Sequence, residues 1–341
     1  MRVLELYHQS SGQLVNAQKS RYLVPPSRRR VIERITQFAR NSFPICYLGF
    51  PLYLGRCRST YFGAVSQAII GRVLSWKSRL LSPGGKLILI KHVLASVPVH
   101  LLSAAVVPCS VFSMIEKVCA NFLWGSMAEK SKFHWIRWSQ LCYPVEEGGV
   151  GFRRLRDVYR AFSCKLWWGF RTGASLWASY MQAKYCREQH PCQMPLKVSA
   201  TATWRRMWYV SQQVELSMLW HFNGGACHFW YDNWVGSGAL FLNSTVIPDL
   251  SFGDFITNGT WDAQLLSRAL PPGIIPLILQ HPIPEGGRAA EPVWMPSTSG
   301  KFTLALTFGE VRQACNTSAV LSHVWHHRIP LKVSFFMLRL L

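Results

Sequence analysis

Four aspartates, Asp232, Asp249, Asp254 and Asp262, are the residues whose type points most directly to chemistry. Four carboxylates gathered at one place can hold divalent cations against a phosphodiester, as a nuclease requires. Their neighbours argue for another role. "YDNW", "IPDLS", "FGDF" and "TWDAQ" read as turns and helix caps, where an Asp side chain accepts backbone N–H groups. Cys186, His190 and Cys192, in "CREQHPC", are the tightest group of soft ligands, but their spacing fits no tetrahedral zinc pattern and no second pair follows. The ten cysteines contain no C-x-x-C and are expected as buried or free thiols in a reducing compartment. His323, His326 and His327 lack cysteine partners nearby in sequence, so packing or surface roles are expected.

The basic residues carry the stronger signal. The chain has 37 Lys and Arg against 16 Asp and Glu, a net charge of +21. Residues 1–100 hold 15 of the bases and only two acids, Glu5 and Glu33. An imbalance of that size attracts polyanions, and nucleic acid is the commonest. A membrane surface is the competing partner. Arg153, Arg154, Arg156 and Arg160 form a second basic stretch, equally readable as a solvated helix face around Asp157.

The elements that would position these charges are readable from apolar spacing. Residues 1–12 read as a helix stopped by Ser10-Ser11-Gly12, and "QLVNAQKSRYLV" as a strand broken by Pro25-Pro26. Val31–Ala39 reads as an amphipathic helix with apolar residues at 31, 32, 35 and 38. "YLGFPL", around Tyr47, Leu48 and Gly49, reads as a hairpin running into Arg56 and Arg58. The spacing predicts a helix over 60–81 with Tyr61, Val65, Ile69, Val73, Trp76 and Leu80 on one stripe. A second is expected from Lys86, with Leu87, Ile90 and Leu94 inward and Lys86 and Lys91 outward, and a third over 111–124. Beyond these, a strand is expected at Phe133–Ile136 and a helix through Leu155, Val158, Phe162, Leu166 and Phe170. Residues 199–222 read as a helix, "GGACHFWYDNWVGSG" as a hairpin turning at Asp232-Asn233, and 271–300 as a linker. The fifteen tryptophans fall mostly at apolar positions, where core packing is the default, as at Trp76, Trp124 and Trp167; stacking on bases is the other use of such rings.

The segment from Val93 to Cys109 carries no Asp, Glu, Lys or Arg. It is short of the roughly 20 residues of a membrane span and contains Pro98 and His100, so a buried helix pair is expected instead. "MRVLELYHQSSGQ" has no apolar run long enough for a signal peptide, which implies an intracellular protein of nucleus or cytoplasm.

Seven segments in order, "SSGQLVNAQKS", "FPICYLGFPLYLGR", "WKSRLLSPGGKLILIKHVLASVPVHLLS", "FLWG", "HWIRWSQLCYPVEEGGVGFRRLRDVYRAFSCKLWW", "FWYDNWVGSG" and "IPLKVSFFMLRLL", resemble the C-terminal part of plant LINE-type (non-LTR) retrotransposon reverse transcriptases. The resemblance implies an α+β, mainly helical fold: the end of a polymerase palm over 1–58, a helical thumb over 59–128, a Trp-rich connection region over 129–298 and an incomplete zinc-binding-type domain over 299–341. Trp325, Ile329, Pro330 and Lys332 match the opening of that last domain, while "KFTLALTFGEVRQ" departs from its pattern.

Lys19 matches the lysine of palm motif D, and Tyr47, Leu48 and Gly49 match the primer-grip hairpin. With Arg56, Arg58, Arg72, Lys77, Arg79, Lys86 and Lys91 they make up the nucleic-acid-binding residues that the resemblance and the charge imply. The expected partner is RNA or an RNA/DNA duplex, with no small-molecule substrate. The family's Asp-Asp motif has no counterpart, since no Asp precedes Asp157. No polymerase activity and no cofactor are therefore expected of this chain; the family's Mg²⁺ and zinc ligands fall outside it. Two alternatives are a polymerase part acting in trans and a membrane-associated protein using residues 87–109. The abrupt apolar C-terminus reads as a truncation.

Overall fold

The computed structural model describes residues 2–23, 29–75, 80–94, 96, 99–125, 132–173, 175–221, 227–244, 247–283, 291–317, 319–326 and 328–340. Those residues form a mainly helical α+β fold with four two-stranded sheets. Helix α1 (Arg2–Ser11) ends at Gly12, whose φ of 70° suits glycine. The strand expected through 13–22 shrinks to β1 (Arg21–Tyr22), because Asn16 folds the chain into a turn by accepting from Lys19 and Ser20. Pro25 and Pro26 lie outside the described residues. Helix α2 (Arg29–Thr36) starts and ends before the expected 31–39, stopped at Gln37 with a φ of 56°, and leaves Val31 and Ile35 exposed. Ala39–Arg40 (β2) pairs in parallel with β1.

The hairpin forms as expected. Strands β3 (Ile45–Tyr47) and β4 (Phe50–Leu52) are antiparallel, with Tyr47 opposite Phe50. A two-residue loop between twisted strands needs positive φ at both positions. Leu48 supplies 49° and Gly49 supplies 83°.

A tight helical turn at Ser59–Phe62 leads into α3 (Gly63–Leu74). The expected helix to residue 81 stops there, as Ser75 turns extended. Ile69 is fully buried, whereas Leu80 is exposed beyond the helix, and Trp76 lies outside the described residues. Helix α4 (Pro83–Leu89) begins at Ser82, whose hydroxyl accepts from Gly85, and widens into a π-type turn over Ile90–Leu94. Helices α5 (Val99–Ala104) and α6 (Cys109–Trp124) follow, so the uncharged segment is broken rather than continuous. No helix of the described residues is long and apolar enough to cross a membrane.

The strand expected at Phe133–Ile136 is absent; Ile136 is buried from irregular chain while Phe133 and Trp135 are exposed. After α7 (Trp138–Leu141) comes α8 (Leu155–Arg171), the longest helix among the described residues. It contributes to two apolar clusters. Leu155, Val158 and Phe162 join Phe62, Ile69, Leu102, Val111 and Ile115 in the first. Ala161, Cys164, Trp167 and Phe170 join the second. Three or four residues separate these neighbours, so each set keeps to its own side of the helix.

The second cluster is built by α9 (Leu176–Met181), α10 (Ala202–Ser217) and the segments after them. The helix expected over 199–222 ends at Ser217, and Met218–His221 forms β5 instead. Residues 227–238 form no hairpin. Asn233, fully buried, organises them by accepting from the backbone of Gly236 and Gly238. A small hairpin, β6 (Ile256–Thr257) and β7 (Thr260–Trp261), precedes α11 (Ala263–Ala269).

Residues 271–300 are not a free linker. They contain α12 (Ile275–Gln280) and β8 (Glu291–Trp294), and β8 pairs antiparallel with β5, Met218 opposite Trp294. Ile278 and Trp294 belong to the core, which is why so proline-rich a stretch is ordered.

Helices α13 (Leu304–Val311), α14 (Ala319–Val324) and α15 (Leu331–Leu340) complete the chain. Phe335 of α15 is buried in the first cluster beside Trp124. The clusters therefore cross the boundaries expected at 128 and 298. Arg206 of α10 ties them together. Its guanidinium donates to Ser163 and to the carbonyls of Leu102 and Ala105 at the end of α5, and lies 3.9 Å from the centre of the Tyr159 ring. A cation there satisfies C-terminal carbonyls that lack helical partners.

Candidate nucleic-acid interface

The β3–β4 hairpin stands against α5 and points its tip outward. Phe50 packs on His100 with ring centroids 4.4 Å apart, and Cys57 donates to the Val106 carbonyl. Tyr53 and Tyr61 stack at 5.1 Å. Burial, with Cys57 beside it, pushes the Tyr53 hydroxyl up from its ordinary value. Tyr47 and Leu48 are 61% and 74% exposed, so the two matched side chains are open to a partner. Arg56 and Arg58, at the hairpin's exit, and Arg72, in the last turn of α3, are all exposed.

The other matched bases fall differently. Lys77 and Arg79 lie outside the described residues. Lys86 is half-buried rather than outward, its ammonium 5.5 Å from the centre of the Phe122 ring. Burial and nearby Lys132 lower its pKa. Lys91 is exposed, but its ammonium donates to the Val150 carbonyl at 3.4 Å. Lys19 is exposed on the Asn16 turn, apart in sequence from the hairpin. In the second basic stretch, Arg154 donates to Gln313 and Arg160 to Gln213, while Arg153 and Arg156 are exposed.

The four aspartates are put to separate uses. Asp254 accepts from the backbone and hydroxyl of Ser251. Asp262 caps α11, accepting from Gln264 and Leu265. Asp249 is exposed in a bend. Asp232 is in none of these roles: it is buried in an ionic cluster that local sequence did not announce. Arg171, at the end of α8, donates to Glu215 at 2.7 Å and also to Asp232. Trp167 donates to the same Glu215 oxygen at 2.7 Å. Asp232 further accepts from the His190 ring at 3.0 Å and from the His228 backbone at 2.7 Å. Burial alone pushes the Asp232 carboxyl up, but the His190 bond and the Arg171 charge pull it down to about 2.

His190 was visible in sequence only as an unusable zinc ligand. It serves instead as a cap: its Nδ1 accepts from the Cys192 backbone. Among the described residues no group of His, Cys, Asp and Glu could hold a metal ion. His323 bonds to the Ala319 carbonyl and His326 accepts from the Arg328 backbone; His327 lies outside the described residues. Cys119, Cys164 and Cys186 are buried thiols, with burial pushing them up to about 12, about 12 and about 11. Among these, Cys164 and Cys186 pack in the second cluster.

No protein-family model matches the chain. Over 317 residues, 84% of this chain, it is 28% identical to a protein of Arabidopsis thaliana named "Putative ribonuclease H protein". The aligned region spans 49% of that relative, so the chain corresponds to about half of its length.

Proposed function

We propose that this chain is a nucleic-acid-binding part of a retroelement protein of the reverse-transcriptase type, gripping an RNA or RNA/DNA duplex along its phosphates. The carrying observation is the outward hairpin with Arg56, Arg58 and Arg72 exposed around it, in a hundred-residue stretch of 15 bases and two acids. Binding to phosphates from such a surface is insensitive to base sequence. A relative named for ribonuclease H, an activity on nucleic acid, supports the same class of partner. Neither polymerisation nor hydrolysis is assigned to this chain. It offers no Asp before Asp157 for the one, and Asp232, Asp254 and Asp262 are engaged in ion pairing and capping for the other.

Binding of a primer–template duplex should fall steeply with salt, with a log–log slope of roughly −3 to −5 if about four to six phosphates are engaged. Replacing Arg56, Arg58 and Arg72 with Gln should flatten that slope by about one unit for each phosphate no longer neutralised. Fluorescence anisotropy across a salt series measures both. Unchanged affinity and slope would mean that these residues are ordinary solvated charges.

A further inference from the structure

Beside the Arg171 cluster lies a cavity of about 550 Å³, bounded by Phe170, Arg171, His190, Trp220, His228 and Asp232 and rimmed by Ser179, Glu188 and Gln189. Its volume is that of a small-molecule site. Two donors face unmet needs there. The indole N–H of Trp220 has no hydrogen-bond partner, although the residue is only 9% exposed. Such a buried orphan calls for a reason. The Nδ1 of His228 accepts from the Trp230 backbone at 3.3 Å, which leaves the proton of the neutral ring on Nε2, as a donor. Burial and the neighbouring His190 push His228 down from its ordinary value, so the ring is neutral near pH 7.

The charge of the walls decides what kind of acceptor fits. Both nitrogens of His190 are used, Nδ1 as acceptor from Cys192 and Nε2 as donor to Asp232, which is the neutral ring. Arg171 is matched by two carboxylates, Glu215 and Asp232. The walls thus carry one negative charge in excess, and Glu188 adds another at the rim. A phosphate is repelled from such a place, although the chain as a whole attracts it. A neutral, flat molecule with carbonyl or ring-nitrogen acceptors suits both the free donors and the aromatic walls. Unpaired nucleobases have that chemistry, and proteins read them by inserting them between aromatic side chains and bonding their edges.

We propose that this cavity takes one unpaired base of a single strand whose phosphates lie on the basic surface. The inference rests on the nucleic-acid reading above and adds a base-reading subsite to it.

The test compares octamers of oligo(U), oligo(C) and oligo(A) with an abasic octamer of equal charge, and adds free nucleosides, which carry no phosphate. At least one base-bearing octamer should bind the whole chain about tenfold more tightly than the abasic one. Trp220→Phe keeps the ring and removes the donor, and Ser179→Trp fills the mouth from an exposed position. Each should erase the advantage and leave the abasic octamer's affinity and salt slope unchanged. Nucleosides should bind the native chain and not the Ser179→Trp variant, even should the abasic octamer fail to bind; that outcome would sink the phosphate-grip reading alone. Equal affinity for base-bearing and abasic octamers, with nucleosides unbound, would overturn the cavity proposal alone. So would an advantage that persists in both variants.

Discussion

Replacing Arg171 with Met lowers the stability of the fold by about 3–5 kcal/mol, read from urea denaturation of the variant beside the native chain. The guanidinium sits between Glu215 and Asp232, with all three side chains less than 10% exposed. Methionine fills similar space but leaves two buried carboxylates facing each other without a cation. The loss is the cost of that uncompensated charge, not the net worth of the ion pairs. Replacing Glu215 with Gln in the same chain should recover part of it, because one of the two stranded charges is gone. A loss below about 1 kcal/mol for Arg171→Met would mean that water reaches the site and screens it.

The same cluster sets an acid limit. The Asp232 carboxyl is held at about 2 in the fold and returns to its ordinary value of about 3.9 on unfolding. A depressed folded value gives stability that is complete above the unfolded one and is lost as pH falls through the folded one. The urea midpoint should therefore decline between about pH 5 and pH 2. Asp232→Asn should flatten that part of the profile.

Gly149→Ala should cost about 3 kcal/mol or more, the largest single effect expected from adding one methyl group. A Cβ at this position would lie 1.9 Å from the Tyr143 carbonyl oxygen and 2.7 Å from that of Gln140. Both are backbone atoms, so no side chain can swing aside. The turn has little freedom to move as a body. Gly149 donates to the Pro144 carbonyl, and Glu147 two residues before it is anchored by Arg312 and by the Cys315 backbone. The Arg312 bonds hold the Glu147 carboxyl below its ordinary value. Gly148→Ala is the informative control. Its Cβ would meet only the Leu321 side chain, at 2.9 Å, although its φ of 88° adds backbone strain. Thermal melts of the two variants should rank Gly149→Ala as the worse; the reverse order would show that Tyr143 can shift.

Local periodicity made the helices legible. Leu155, Val158, Phe162, Leu166 and Phe170 marked α8, and the Gly49 turn marked the β3–β4 hairpin. Both depend on residues close together in the chain. What stayed hidden depends on distant ones. Strand β5 read as the end of a helix because its partner β8 is some seventy residues away, in a stretch whose prolines and glycines suggest a linker. Asp232 read as a turn residue because Arg171 and Glu215 arrive from two other helices. The cavity has no local signature at all, since Phe170, His190 and Trp220 come from three segments. Of the expected interface, the exposed hairpin and its arginines could be read from sequence. The inward lean of Lys86 over Phe122 and the reach of Lys91 to Val150 could not.

The place of Phe335 in the first cluster has a consequence for the order of folding during synthesis. Almost everything else in that cluster lies between Phe62 and Phe162, whereas the second cluster is contained between Ala161 and Val311. A ribosome would release all of the second before it releases the last piece of the first. The earlier segment must therefore wait, incompletely sealed, while the later one closes beside it. Its unsealed edge at Trp124, which Phe335 finally covers at 5.0 Å, is where a chaperone that holds nascent apolar surface would have longest access.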